Sequence, residues 1–483
     1  MPKLATGNEH VLLYADTADW YTDVKPQLFL NRLFSGRGKP PRPAPRASQR
    51  AARRAIELCH ALMSERGEVS GARVAREALA AYQTLDPAAV AVFFDLLAEE
   101  FSPHPDLVGR YAQAYRDDPS QANLILLQRA AEPPRQELFR RLNMAPGGTA
   151  LLVEMHRQVL HELSANAQWL GTEADLTHLL RSWFNRGFLT LQRIDWRTSA
   201  MVLEKLIQYE AVHEIQGWGD LRRRLQADRR CYAFFHPALP DEPLIFIEVA
   251  LTRGMSTRVQ PLLDPDSPVL DPAAADSAMF YSITNCQQGL RGVSFGNFLI
   301  KQVVEDLGRE LPAVKCFATL SPIPGFRKWL GALPGTLDGD HKSKVSALLS
   351  ALESPRWFEE KAATDLQPAL LGLAGWYLLY AKEDQEPVDP VARFHLLNGA
   401  RLERLNWLGD TSATGMRQSA GMMVNYVYRL EEVEANHEAY ARDRVIVASR
   451  RLEQRARESL ASRGGATRER AAAPESDGGP ART

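Results

Sequence analysis

Ser277-Ala-Met-Phe-Tyr-Ser-Ile-Thr-Asn285-Cys-Gln-Gln-Gly-Leu-Arg291-Gly-Val-Ser-Phe-Gly-Asn297-Phe-Leu-Ile-Lys301 reads as a strand, a glycine loop and a helix in direct succession. Met279 to Cys286 is apolar and β-branched enough for a strand, and Gln287 to Ser294 is rich in turn residues. Phe295, Leu299, Val303 and Leu307 then recur at helical spacing. A glycine loop that opens a helix leaves backbone N–H groups unpaired and backed by the helix dipole, which suits a phosphate or pyrophosphate. Val314 to Leu320 reads as the next strand, and Ser321 stands at its end.

Working outward, 483 residues with 45% hydrophobic and 24% charged side chains are enough for two or three domains with large cores. The 58 basic and 59 acidic side chains nearly cancel, so no global field favours nucleic acid or an anionic membrane. No apolar run approaches the roughly 20 residues of a membrane-spanning helix. Cys59, Cys231, Cys286 and Cys316 lie far apart without a paired motif or a signal peptide ahead of them, so reduced thiols and a cytoplasmic setting are expected.

Before the central stretch, residues 48–190 read as about seven or eight helices. Gly36 to Arg54, with seven basic residues, four prolines and no acids, reads as a linker ahead of them. Asp86-Pro87 is a helix start, with Phe93, Leu96, Leu97 and Phe101 on the buried face. Thr172 and Asp175 resemble a capping box, and Gly187 a helix stop. His156 and His161 are five apart and so do not share a helix face as a metal pair would; both read as structural.

After Gly187 the pattern becomes strand-like at Cys231–His236, Leu244–Leu251, Val259–Leu263, Met279–Cys286, Val314–Leu320 and Phe394–Leu405. Consecutive strands ahead of the first convincing helix favour an antiparallel or mixed sheet. The expected organisation is α+β: a helical domain over 1–190, a mixed α/β domain over 191–458 and a disordered tail over 459–483.

The loop itself supports two chemistries. Gly292-Val-Ser-Phe-Gly296 fits G-x-S-x-G, with Ser294 as a hydrolase nucleophile, but that elbow belongs to a doubly wound sheet, and an oxyanion loop such as His-Gly-Gly-Gly is missing from this sequence. Read as Arg291-Gly292 with Gly296 and Leu299, the same residues look like the coenzyme A loop of GNAT-type acyltransferases, with Ser294 in place of its middle glycine.

A longer set of blocks carries a more specific resemblance. Phe280-Tyr-Ser-Ile, Gln287-Gln-Gly-Leu-Arg-Gly-Val, Leu320-Ser-Pro-Ile-Pro-Gly-Phe326, Phe394-His-Leu-Leu-Asn-Gly-Ala400 and Asn425-Tyr426 resemble malonyl-CoA decarboxylases over roughly residues 40–450. The resemblance implies a helical bundle used in homo-oligomerisation, followed by a GNAT-like domain that converts malonyl-CoA to acetyl-CoA and carbon dioxide. It implies Ser321 and His395 as catalytic residues and Arg291, Gly292, Val293, Ser294, Phe295, Gly296 and Asn297 as the coenzyme A loop. Asn425 and Tyr426 would either donate to the thioester oxygen or pack beneath the site.

A carboxylate β to a thioester leaves an enolate that the thioester delocalises, so no cofactor or metal is expected beyond the coenzyme A of the substrate. The partners implied are malonyl-CoA and acetyl-CoA, with no nucleic acid and no membrane. Pro322-Ile-Pro324, with its fixed φ angles, would hold the Ser321 hydroxyl in place. The same loop in an acyltransferase would require an acyl acceptor, and in a sensor would bind without turnover.

Overall fold

The computed structural model describes residues 44–459 apart from positions 66, 294–298, 338, 355, 360 and 361. The chain divides into two compact units: residues 44–187 together with 288–293, and residues 188–287 together with the described residues from 299 onward. The described part of the glycine loop thus groups with the helices.

The helical unit runs α1 (Arg46–Ser64), α2 (Glu68–Gln83), α3 (Pro87–Glu100), α4 (Pro105–Asp117), α5 (Gln121–Ala131), α6 (Pro134–Asn143), α7 (Gly148–Glu162) and α8 (Leu170–Trp183). Asp86 caps α3 as its sequence indicates, accepting the Ala89 N–H at 2.8 Å. Phe93, Leu97 and Phe101 are fully buried there, while Leu96 is half-buried. Helix formation starts earlier than expected, because the basic stretch from Arg46 to Arg54 already lies in α1. Thr172 and Asp175 are not a capping box. Both are buried inside α8, where Asp175 pairs with Arg135 and accepts from Gln136, tying α6 to α8. Gly187 likewise lies in a short 3-10 turn after α8 has already ended.

The second unit opens with β1 (Thr190–Ile194), α9 (Ala200–Tyr209), α10 (Trp218–Arg224), β2 (Arg229–His236), β3 (Leu239–Thr252) and α11 (Gln260–Leu263). It continues with β4 (Ser277–Asn285), α12 (Leu299–Glu310), β5 (Cys316–Thr319), β6 (Ser321–Pro322), α13 (Phe326–Ala332), α14 (Gly339–Ala351) and α15 (Ala362–Tyr380). A small hairpin, β7 (Lys382–Glu383) and β8 (Glu386–Pro387), precedes α16 (Pro390–Leu397), β9 (Arg401–Asn406), α17 (Ala413–Ser419), β10 (Met423–Val427), α18 (Val433–Asp443) and α19 (Arg450–Arg457). The main sheet is ordered β1-β2-β3-β4-β5-β10-β6, with β9 also paired to β10.

Among the described residues the β4–β5 pairing alone is parallel; the other strand pairs are antiparallel. A parallel neighbour requires a crossover. Helix α12 supplies it, burying Leu299, Ile300, Val303, Val304 and Leu307 along one stripe.

Two strand expectations fail. Val259–Leu263 is a single helical turn with Pro261 near its start, where the missing proline N–H costs nothing. Phe394–Leu405 is split: its first half is the end of α16, and only Arg401–Asn406 forms a strand. Asp389-Pro390 starts that helix as Asp86-Pro87 starts α3, with the Asp389 side chain accepting the Ala392 N–H at 2.8 Å. Of the expected disordered tail only Ser459 is described, and it is buried; residues 460–483 lie outside the described residues. Among the described residues no helix is long and apolar enough to cross a membrane.

Candidate active site

Strand β5 leads through Leu320 into β6, which carries Ser321 and ends the sheet order beside β10. Phe280 of β4 pairs with Thr319, its carbonyl accepts the Leu320 N–H at 2.8 Å, and Ser321 then pairs with Val424 of β10. Thr319 and Ser321, two apart, present their hydroxyls to one another at 2.8 Å. The Thr319 hydroxyl also accepts the Tyr426 N–H at 3.1 Å.

His395 arrives from the last turn of α16. That turn closes as a Schellman motif: the Gly399 N–H bonds the Leu396 carbonyl at 2.9 Å and the Ala400 N–H bonds the His395 carbonyl at 3.0 Å. Gly399 has φ +76°, and a β-carbon there would overlap the Val433 carbonyl. The block Phe394-His-Leu-Leu-Asn-Gly-Ala is therefore a helix terminus in which the glycine is a geometric requirement.

The two side chains meet, with Ser321 Oγ 2.9 Å from His395 Nε2. On the far side of the ring, Nδ1 lies 2.8 Å from the Tyr428 hydroxyl. The ring of Tyr426 stacks on the imidazole at 4.4 Å between centroids and 27° between planes. All four residues are buried. Burial holds the imidazole down at about 3, so His395 is neutral at ordinary pH, donating through one ring nitrogen and accepting through the other. Burial also pushes the Tyr428 phenol well above its usual range, so it remains a donor.

Asn425 occupies the adjoining layer. Its Nδ2 donates to the Thr319 carbonyl at 2.6 Å and the Ser256 carbonyl at 3.3 Å. Its Oδ1 accepts from Asn406 at 2.8 Å and Arg404 at 3.0 Å. Every polar position of that amide is engaged by protein, so it braces β5 against β9 and β10. The Tyr426 hydroxyl is buried without a hydrogen-bond partner among the described residues, and its ring is what reaches His395.

Arg291, Gly292 and Val293 form a turn held by the helical unit. His156 Nδ1 donates to the Gly289 carbonyl at 2.7 Å, and Arg181 donates to the Gly292 carbonyl at 3.1 Å. Gly292 has φ +81°, and Gly289 leaves no room for a β-carbon beside the Val153 carbonyl. His156, read as structural, is the residue that pins this turn. Ser294, Phe295, Gly296 and Asn297 lie outside the described residues.

The description "Malonyl-CoA decarboxylase C-terminal domain" matches residues 187–466, more than half of the chain, and "Malonyl-CoA decarboxylase N-terminal domain" matches residues 101–184. The chain belongs to the malonyl-CoA decarboxylase family. The mitochondrial malonyl-CoA decarboxylase of Mus musculus is 34% identical over 475 residues, covering 88% of this chain and 96% of that protein. That of Anser anser anser is 39% identical over 346 residues, 66% of this chain and 69% of that protein. The crystal structure of malonyl-CoA decarboxylase from Rhodopseudomonas palustris matches with a TM-score of 0.81 and 51% identity, covering 83% of this chain and 99% of that one. That from Agrobacterium vitis matches at 0.78 and 49%, with the same coverage.

The resemblance to malonyl-CoA decarboxylases named Ser321 and His395, and the structure brings them into contact. The same reading missed Tyr428 and Thr319. Each lies two residues from a position already singled out, Tyr426 and Ser321, and strand alternation puts such pairs on one face.

Proposed function

We propose that the chain decarboxylates malonyl-CoA to acetyl-CoA and carbon dioxide at the Ser321–His395 pair. The observation that carries this is the 2.9 Å contact between Ser321 Oγ and His395 Nε2 inside the region that matches the family's C-terminal domain. Loss of carbon dioxide leaves an enolate on the thioester, and the protein must orient the breaking C–C bond, stabilise the enolate oxygen and return one proton to carbon.

His395 is neutral in the free enzyme. A malonyl carboxylate brought against Ser321 raises the imidazole's proton affinity, because a neighbouring negative charge favours the charged form. Substrate binding then loads the ring with a proton from solvent. When carbon dioxide departs, the proton passes from Nε2 through the Ser321 hydroxyl to the α-carbon, and the imidazole returns to neutral with Tyr428 holding its other nitrogen. The charge balance is one carboxylate and one proton consumed for one carbon dioxide released. Since the thioester delocalises the enolate itself, the reading requires no cofactor beyond the coenzyme A of the substrate.

The second unit is read as a GNAT-like domain. The support is its order of elements: β1, two helices, three antiparallel strands, the loop and α12, then β5 parallel to β4. In that reading Arg291–Asn297 takes the pyrophosphate, so binding energy from the distant end of the substrate is used at the reacting carbon. The protein is further read as a homo-oligomer through its helical unit. Helices α4 and α5 pack against one another yet bury no residue fully, leaving Leu107, Ile125 and Leu126 about 40% exposed. Four unpaired thiols suit a reducing compartment, and the cytoplasm is the setting proposed.

The deciding assay is release of carbon dioxide and acetyl-CoA from malonyl-CoA with no acyl acceptor present. Equal amounts of both are expected. Free coenzyme A with malonate would instead assign a hydrolase, and turnover that waits for an amine would assign an acyltransferase.

A further inference from the structure

Ser321 has one hydroxyl hydrogen, and its neighbours fix where that hydrogen goes. Its Oγ donates to Thr319 Oγ1 at 2.8 Å, and the same Oγ lies 2.9 Å from His395 Nε2. With its hydrogen committed to Thr319, Ser321 can only accept from Nε2. The imidazole is neutral, so Nε2 carries its single hydrogen and Nδ1 is an acceptor. The Tyr428 hydroxyl, 2.8 Å from Nδ1, then donates to it. The groups form one directed chain, from the Tyr428 hydroxyl through the ring and Ser321 to Thr319.

Thr319, where that chain ends, is held in place independently of Ser321. It is wholly buried at the last position of β5. Val427 of β10 pairs with Ala318 and Val424 with Ser321, a register that sets Tyr426 opposite Thr319. There side chains take over from the ladder: the Tyr426 N–H donates to Thr319 Oγ1 at 3.1 Å, and Asn425 Nδ2 donates to the Thr319 carbonyl at 2.6 Å. A β-branched side chain is also stiff about χ1. A serine hydroxyl turns to suit its partners, so a fixed acceptor beside Ser321 selects one orientation.

We propose that Thr319 is a positioning residue of the reaction: by taking the Ser321 hydrogen it holds His395 in the Nε2–H form, which sets the pair to deliver a proton and not to attack the thioester. A nucleophilic serine gives its hydrogen to the histidine, as in Ser-His-Asp hydrolases. Here the direction is reversed. Ser321 presents a lone pair to Nε2–H and needs only to turn its own hydrogen from Thr319 to the α-carbon. As the enolate's electron pair forms the new C–H bond, the Ser321 O–H bond breaks and Nε2 passes its hydrogen to Oγ. The serine ends with the one hydrogen it began with, and the proton consumed is the one that substrate binding loads on the ring.

This inference rests on the decarboxylase reading, and the test separates the two. Wild type, Thr319→Val and Thr319→Ser are compared by steady-state kinetics on malonyl-CoA and by 15N spectra of histidine-labelled protein, with His395→Asn identifying the His395 signals. The wild type is expected to show Nε2 protonated and Nδ1 bare. Thr319→Val keeps the shape without the acceptor; it should move the hydrogen toward Nδ1 and lower kcat by about 10- to 100-fold, with KM within about threefold. Thr319→Ser restores the acceptor and should return the tautomer, with kcat within about threefold of wild type. A wild type protonated at Nδ1, an unmoved tautomer or kcat in Thr319→Val, a loss carried by KM, or no recovery in Thr319→Ser would overturn the assignment. If Thr319→Val does not fold, Thr319→Cys, whose sulfur is a weak acceptor, is judged by the same criteria. No carbon dioxide from the wild type would defeat the decarboxylase reading instead, and the tautomers of wild type and variant would then decide on Thr319.

Discussion

The Tyr428 hydroxyl lies 2.8 Å from His395 Nδ1, on the side of the ring opposite Ser321, so the imidazole is held at both nitrogens. Removing one partner leaves a buried ring nitrogen unsatisfied, at about 1–3 kcal/mol. Tyr428→Phe should therefore lower kcat by roughly 10- to 100-fold with KM for malonyl-CoA little changed. A rise in KM that accounts for the whole effect would assign Tyr428 to substrate binding.

His395→Asn removes the proposed proton carrier but leaves the glycine loop intact. Turnover should fall by about 10²–10⁴-fold, the usual span for a positioned acid or base, while acetyl-CoA affinity stays within a few fold. Calorimetric titration of the variant with acetyl-CoA measures this. Parallel loss of binding and rate would contradict the division between loop and pair.

Stability should carry the signature of the buried imidazole. Its folded pKa is depressed to about 3 from an ordinary 6.5, so between these values the unfolded chain binds a proton that the folded chain does not. Stability from this group is complete above pH 6.5 and is lost as pH falls toward 3, by about 1.4 kcal/mol per pH unit. Asp389, raised from 3.8 to about 6, acts with the opposite sign: its contribution is present below pH 3.8 and is lost as pH rises through 6. Urea midpoints from pH 4 to 7 should show the wild type losing its margin over His395→Asn on acidification. A constant difference would mean that His395 is protonated in the folded state.

Gly289→Ala probes the loop. A β-carbon at 289 overlaps the Val153 carbonyl and must displace the turn that carries Arg291 to Val293. Weaker acetyl-CoA binding, by tenfold or more on the order of 1–2 kcal/mol, is the expected result. Unchanged affinity in a folded variant would remove this loop from coenzyme A recognition.

Ile125→Asp combined with Leu126→Asp places two charges on the half-exposed apolar side of α5. Light scattering should show a smaller assembly than the wild type, with the melting temperature of the separated protomer lower. An unaltered mass would exclude the α4–α5 pair as the contact between copies.

Local signals read correctly where they agreed with one another. Asp86-Pro87 announced α3, and the Phe280 region, its loop and the spacing of Leu299, Val303 and Leu307 announced β4 and α12. They misled where two signals competed. Aromatic and branched residues between Phe394 and Leu405 outweighed the Asp389-Pro390 helix start, although the same dipeptide had been decisive at residue 86. Thr172 and Asp175 had the spacing of a cap, but Arg135 arrives from another helix to claim the carboxylate.

The amino-acid sequence by itself determined the succession of helices and the strand–loop–helix at the centre of the chain, while Ser321 and His395 were singled out by the family resemblance of the blocks around them. Those are properties of local spacing, backbone preference and motif, which need no knowledge of what lies across the fold. Only the tertiary structure decided that His395 stands at a helix end and that Tyr428 and Tyr426 hold its ring. The pair is 74 residues apart in the chain, and a hydrogen bond across such a separation is set by sheet register and helix packing, which no local pattern encodes.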